Sequence, residues 1–254
     1  MKLVTWNVNS LKVRLPQVLQ WLEANPVDVV CIQETKLTDD KFPQAEIEAA
    51  GYQVAYSGQK TYNGVAILSR HTIENVQKNN PLFEDPQQRI IAATIQDMRI
   101  VCAYVPNGQA LDSEKYPYKL NWLASLHEWI KQEMAQTPAL ALLGDYNIAP
   151  EDRDVYDPAA WEGQNLVSPL ERAALQALLD LGLQDSFRLF DQAEKSFSWW
   201  DYRQLGFRLN KGMRIDHILL SAQLASRCRS CIIDKTPRKW EQPSDHAPVI
   251  ATLD

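Results

Sequence analysis

Short apolar runs, each closed by a polar cluster, recur along the whole 254-residue chain. Residues 2–7 alternate and predict a strand. Residues 27–33, 52–57, 64–69 and 139–143 are brief and apolar, which also predicts strands. Residues 90–95 and 98–104 bracket Gln96-Asp97 and predict a hairpin. Residues 214–220 and 247–253 complete the set. Between these runs the apolar period lengthens. Leu15, Val18, Leu19 and Leu22 predict a helix closed by Asn25-Pro26. A short helix over 43–50 stops at Gly51. Leu120, Leu123, Leu126, His127 and Ile130 share one face of a helix over 119–135. Ser168-Pro169-Leu170-Glu171 is a capping box with proline at the first helical position, and Gly182 ends that helix. Strands and helices are mixed and hairpins are present. The pattern therefore predicts an α/β fold of two packed mixed sheets flanked by helices, in one domain over residues 1–254.

The polar residues that close the runs are unusual in kind. Asn7 closes the first strand and Glu34 follows the second. Tyr104 and Asn107 follow the hairpin, and Gly144-Asp145-Tyr146-Asn147 follows the apolar run at 139–143. Asp216 lies inside an apolar run, so it calls for a cation or a donor. Ser244-Asp245-His246 precedes the last strand. Each of these groups alone reads as an ordinary turn or a solvated strand end, and Tyr104 alone reads as a core aromatic. Several together, at the ends of neighbouring strands, predict one shared site, because open α/β folds place their sites there.

Composition narrows the picture. Apolar residues make up 45 % and charged residues 23 %, as in ordinary globular proteins. No apolar run approaches the ~20 residues of a membrane helix, and residues 1–6 lack the regions of a signal peptide. A cytoplasmic, membrane-free protein is expected, and a monomer. Cys31 and Cys102 sit in strand-like runs and read as buried thiols. Cys228 and Cys231 form one CxxC without a second pair or histidine, so neither zinc nor a disulfide is expected. The net charge of −6 puts any nucleic-acid contact on local basic loops, with Lys36, Lys60, Lys115, Lys119, Arg203, Arg208, Lys211, Arg238 and Lys239 as candidates. Asp152, Asp154 and Asp157 lie in a long polar loop over 149–167 and read as solvated. Four aromatics crowd residues 197–202. Trp200 is the stronger core candidate of its pair and Trp199 the stronger pocket candidate.

No Ser/His/Asp spacing, dinucleotide motif or P-loop is present. The gathered oxygen donors suit a hard cation, Mg²⁺ or Mn²⁺. A cation beside Asp, Asn and His suits phosphodiester hydrolysis. Six motifs then resemble the exodeoxyribonuclease III and apurinic/apyrimidinic (AP) endonuclease family, within the endonuclease/exonuclease/phosphatase superfamily. They are Thr5-Trp6-Asn7-Val8-Asn9, Ile32-Gln33-Glu34-Thr35-Lys36, Tyr104-Val105-Pro106-Asn107-Gly108, Gly144-Asp145-Tyr146-Asn147-Ile148-Ala149, Arg214-Ile215-Asp216 and Ser244-Asp245-His246-Ala247-Pro248.

The resemblance implies a four-layer sandwich and a metal-dependent DNA phosphodiesterase of base-excision repair. Its substrates would be double-stranded DNA with abasic sites or 3′ ends. The resemblance also implies roles. Glu34 is the principal metal ligand, with Asn7 beside it and Asp145, Asn147 and Asp245 as further members of the metal site. Asp145 activates water, Asn147 orients it, and His246, held charged by Asp216, contacts the phosphate with Tyr104 and Asn107. Trp199, Met213 and Ile215 form a pocket for a flipped-out abasic sugar, and Lys36 and Arg203 contact substrate. The segment 161–168 approaches the lesion from the DNA groove. Other superfamily readings are a hydrolase of RNA or small phosphate esters and a silent nucleic-acid binder. The second of these is disfavoured by the presence of Glu34, Asp145 and His246.

Overall fold

The computed structural model describes residues 1–254. Strands β1 (Lys2–Asn7), β2 (Val29–Gln33), β3 (Gln53–Ser57) and β4 (Val65–Ser69) begin one sheet. Strands β5 (Ile73–Lys78), β6 (Ile90–Ile95), β7 (Met98–Tyr104), β8 (Leu140–Asp145) and β9 (Leu183–Asp185) belong to a second. A small ribbon, β10 (Trp199–Trp200) and β11 (Gly212–Met213), stands apart. β12 (Asp216–Ser221) returns to the second sheet, and β13 (Cys228–Ile233) and β14 (Val249–Leu253) return to the first. The sheet orders are β13-β14-β1-β2-β4-β3 and β5-β6-β7-β8-β12-β9.

Helices α1 (Leu11–Ala24) and α2 (Gln44–Ala49) cover the first sheet, and α3 (Lys115–Gln136) and α5 (Pro169–Asp180) cover the second. Two single-turn helices, α4 (Pro158–Trp161) and α6 (Ala222–Ala225), complete the set. The period-2 alternation of each strand explains the layering. Leu3, Val29, Cys31, Cys102, Leu143 and Ile218 meet between the sheets. Their neighbours Val4, Trp6 and Ile32 face α1, while Leu140, Leu142 and Leu219 face α3 and α5. Both faces of the central strands are buried, so the runs read as continuously apolar. The four-layer arrangement agrees with the sequence expectation. No helix is long and apolar enough to cross a membrane.

Register brings the site together. β1 pairs with β2 in parallel, and β7 with β8 in parallel, so all four strands end at one rim. β12 runs antiparallel and starts at that rim, with Asp216 paired to Asp145, which in turn pairs with Tyr104. β14 is antiparallel to β1 and places Ser244-Asp245-His246 at the same edge. Gly144 is required in this ladder, since a Cβ there would lie 1.9 Å from the Ala103 carbonyl oxygen.

Several expectations are corrected. Asp154 is not solvated. It is 1 % exposed and bonded by Arg188 and Arg214. The loop over 149–167 is partly helical, with a 3₁₀ turn at Asp152–Asp154 and α4 capped by Asp157. Lys119 is not in a basic loop, because α3 starts at Lys115 and buries Lys119 completely. Arg238 is also buried, lying over the rings of Trp200, Tyr202 and Phe207. β5, β9 and β13 were not legible as strands.

Candidate active site

Four carboxylates line the rim, and amide donors tie them together. The Asn7 amide donates to Glu34 Oε1 and to Asp145 Oδ2, each at 2.9 Å. One short side chain thus holds two carboxylates against each other. The Tyr104 phenol donates to the same Glu34 oxygen at 2.9 Å. Lys36 Nζ lies 2.9 Å from Glu34 Oε2 and 2.6 Å from Asn9 Oδ1. Glu34, Asn147 and Asn9 all have positive φ, at 56°, 50° and 44°. Left-handed backbone is costly at non-glycine residues, and strain of this kind concentrates at functional sites. At Glu34 the ladder over-determines it, with Thr35 N–H bonded to the Gly64 carbonyl and Lys36 N–H to that of Asn63.

The opposite wall is the line Ser198–Asp216–His246–Asp145. Ser198 Oγ donates to Asp216 Oδ2 at 2.7 Å, and His246 Nδ1 lies 2.8 Å from the same oxygen. His246 Nε2 points toward Asp145 Oδ2 at 3.7 Å. The cation called for by Asp216 is therefore His246. Ser198 was missed in the sequence because a serine beside two tryptophans carries no signal of its own. Burial pulls the His246 imidazole down, but Asp216 and Asp145 together outweigh it and raise it to about 10. The ring is charged at neutral pH. Burial pushes Asp145 up to about 7, with Asp216 adding to the push and His246 opposing it. Glu34 is held below the ordinary carboxylate range. Burial opposes this, and Lys36, the Asn7 bond and His246 prevail. Burial and Glu34 push the Tyr104 phenol well up, so it stays a donor.

The remaining residues are placed as follows. Asn107 Nδ2 donates to Asn147 Oδ1 at 2.9 Å, and Asn147 Nδ2 donates to the Val105 carbonyl at 3.0 Å. Asp245 accepts from Asn9 and from the Trp199 indole, each at 3.0 Å. Met213 and Ile215 are buried in an apolar cluster with Leu166, and Trp199 packs against it half-buried. Arg203 is exposed and paired with Asp201. It lines a cleft of about 440 Å³ with Trp199 and Met213, apart from the carboxylates. A second cleft of about 550 Å³, lined by Tyr104, Asn107, Arg89 and Lys115, lies on the Tyr104 side.

The donor chemistry fits a hard divalent cation. Donor atoms of Asp145, Asp216 and His246 lie within 4.8 Å of one another, but His246 Nδ1 is committed to Asp216. The oxygens of Glu34 and Asp145 converge on the Asn7 amide without thiol or free imidazole, while Asn7 Oδ1 accepts the Asn9 N–H at 2.9 Å. Glu34, Asp145, Asp216 and Asp245 are touched by only two cationic side chains, Lys36 and His246.

A two-sheet α/β sandwich with an oxygen-donor site and a charged histidine at its rim defines the class of phosphate-ester hydrolases. Residues 4–246 match the model of the Endonuclease/Exonuclease/phosphatase family, and the chain belongs to that family. It is 38 % identical to exodeoxyribonuclease III of Haemophilus influenzae, over 99 % of each chain. Among solved structures it is similar to the 3′-5′ exonuclease NExo of Neisseria meningitidis, with 48 % identity, a TM-score of 0.98 and all of both chains covered. It is also similar to an AP endonuclease of Archaeoglobus fulgidus, with 38 % identity, a TM-score of 0.95, and 100 % and 99 % of the two chains covered.

Proposed function

We propose that this protein is a divalent-metal-dependent DNA phosphodiesterase of base-excision repair. It removes nucleotides or blocking groups from 3′ ends of duplex DNA and incises 5′ of abasic sites. The observation that carries the reading is the Asp216–His246–Asp145 line, facing Glu34 across the Asn7 amide. A scissile phosphate seated there meets a fixed imidazolium and, 3.7 Å from it on the same wall, the Asp145 carboxylate. The relatives support the substrate class. A Neisseria NExo structure at 48 % identity is described as a 3′ phosphatase bound to a product DNA hairpin, and the Archaeoglobus relative is an AP endonuclease.

Glu34 would hold the cation, Mg²⁺ with Mn²⁺ as a substitute, with Asn7 beside it and Asp145, Asn147 and Asp245 completing its surroundings. When bound there, the cation would supply Lewis-acid charge at the phosphate. Asp145 takes the proton from the attacking water as general base. Asn147 fixes that water. Asp216 holds the His246 ring by Nδ1, which leaves Nε2–H to contact a phosphoryl oxygen. Tyr104 and Asn107 donate to other phosphate oxygens. Each contact formed only in the transition state is worth about 3 kcal/mol. Trp199, Met213 and Ile215 wall an apolar pocket for a sugar without its base. Lys36 and Arg203, with Arg89 and Lys115 on the far side, meet the flanking phosphates, so a protein of net charge −6 binds DNA through local positive groups.

The segment 165–168 selects between the two activities. Leu166 sits in the pocket cluster, and Asn165 is bonded to Asn107. Replacing Asn165, Leu166 or Val167 by glycine is expected to change the ratio of internal abasic incision to 3′-end trimming. An unchanged ratio in all three removes this assignment. The reading as a whole is tested with two labelled duplexes, one with an internal abasic-site analogue and one with a recessed 3′ end. Cleavage is expected with Mg²⁺, and none with EDTA or in Asp145→Asn. Tight binding without cleavage of either duplex overturns the reading.

A further inference from the structure

The capping box that starts α5 is more elaborate than a cap requires. A neutral acceptor suffices at its third helical position, yet Glu171 is fully buried and accepts from four groups. These are Ser168 N–H at 3.1 Å, Ser168 Oγ at 2.6 Å, Leu166 N–H at 3.0 Å and the Lys119 ammonium. Lys119, equally buried on α3, donates further to the Asn147 carbonyl at 2.7 Å and the Asn107 carbonyl at 3.3 Å. Asn165 closes the circuit, its amide donating to both oxygens of Asn107 at 3.0 and 3.1 Å. One ion pair thus joins the turn after β8, the turn after β7 and the segment 165–168.

A buried ion pair gives little net stability over an apolar pair of similar volume. Around it α3 and α5 share an apolar cluster that includes Leu123, Leu126, Leu175 and Leu178, beside a Tyr116–Ser168 hydroxyl pair at 2.6 Å. What the charges add is a direct tie to the carbonyls of Asn107 and Asn147, whose side-chain amides bond each other in the site.

We propose that Lys119 and Glu171 are positioning residues that set the segment 165–168 against the Asn107–Asn147 amide pair, and so set which DNA is cleaved. This rests on the nuclease reading above. In a coupled device, loosening the ion pair changes substrate choice, and a mutation in the segment no longer acts independently.

The test is a cycle of Lys119→Met with Glu171→Gln, Asn165→Gly, and the combination of all three. The readout is the ratio of kcat/KM for a recessed 3′ end to that for an internal abasic analogue, with Tm measured in parallel. Asn165→Gly is expected to shift the ratio tenfold or more in the parent. In the Met/Gln background the ratio is already shifted, and Asn165→Gly adds less than threefold. A merely structural pair predicts lower Tm, both rates falling together, and a full Asn165→Gly shift in either background. That pattern overturns the proposal. If the Met/Gln protein does not fold, Lys119→Arg keeps charge and donors while altering reach. A shifted ratio at unchanged Tm then supports the proposal, and an unchanged ratio overturns it. A parent that cleaves neither duplex defeats the nuclease reading itself, and this proposal falls with it. A parent that cleaves both, with an Asn165→Gly shift but an unchanged ratio in the Met/Gln protein, defeats only the coupling.

Discussion

Asp154 and Arg214, both buried, form one charge cluster with the half-buried Asp185 and Arg188. Glu34, Asp145, Asp216 and Asp245, with Lys36 and His246, form another. In the first, Arg214 Nε and Nη1 donate at 2.7 Å to Asp154 and Asp185, and Arg188 donates to Asp154. Arg214 also donates to His217 Nδ1, whose Nε2–H reaches the Ile148 carbonyl at 2.8 Å. Two acids meet two guanidinium groups and the charge closes. The second cluster has four acids against two cations, and Glu34 within it sits on left-handed backbone. The difference teaches how to tell a structural charge cluster from a functional one. A balanced cluster is complete as folded, whereas one with an excess of carboxylates calls for cationic charge from outside, which a divalent ion would supply.

The contrast is broken most directly by removing one charge from each cluster. Asp145→Asn should cost kcat about 10³-fold or more, as expected for loss of a general base in a metal site. It should leave Tm unchanged or slightly raised, because it relieves like-charge crowding. Arg214→Met should do the reverse. It strands two carboxylates, and breaking a buried pair of this kind costs about 3–5 kcal/mol. Calorimetry and single-turnover cleavage on the same preparations check both. If Asp145→Asn unfolds the protein, or Arg214→Met leaves Tm intact, the division fails.

The two clusters also differ in how visible they are in the sequence. Asn7, Glu34, Tyr104 and Asp145 each follow an apolar run directly, so the strand pattern points at them, and parallel pairing of β1 with β2 and β7 with β8 collects them. The balanced cluster has no such pointer. Asp154 lies between Asp152 and Asp157, and the three read as solvated acids of one loop, while its partner Arg214 is 60 residues away. Lys119 is hidden for another reason. It is the single charged residue among the buried residues of α3, and its counter-charge comes from a cap motif whose usual place is the surface. β5 escaped because its residues are largely exposed and polar, and β9 because it is three residues long. Close pairing of side chains from distant segments is what a one-dimensional pattern cannot carry.

Ligand linkage sharpens the comparison at smaller magnitude. Mg²⁺ at a hundredfold excess over its Kd should stabilise the protein by about 2.7 kcal/mol. For a chain of this length that is a rise in Tm of roughly 5–10 °C. The rise should vanish in Glu34→Gln and survive in Asp185→Asn, since only the first removes a charge from the unbalanced cluster. Differential scanning fluorimetry across a Mg²⁺ titration reads this without any turnover.

The smallest expected effect belongs to the balanced cluster and lies on the acid side. Burial of Asp185 opposes its ionisation, but Arg214 outweighs it and holds the carboxyl below its ordinary value of 3.8. A carboxylate depressed in the folded state binds its proton less readily than in the unfolded chain. Its contribution to stability is therefore fully present above the unfolded value and is lost as pH falls through the folded one. Urea midpoints measured from pH 6 downward should fall in the parent, with a shallower fall in Asp185→Asn. The asparagine keeps an acceptor for Arg214 and loses only the titrating charge. Parallel curves for the two proteins would mean that Arg214 is satisfied by Asp154 alone, and that Asp185 adds a hydrogen bond but no charge balance to the cluster.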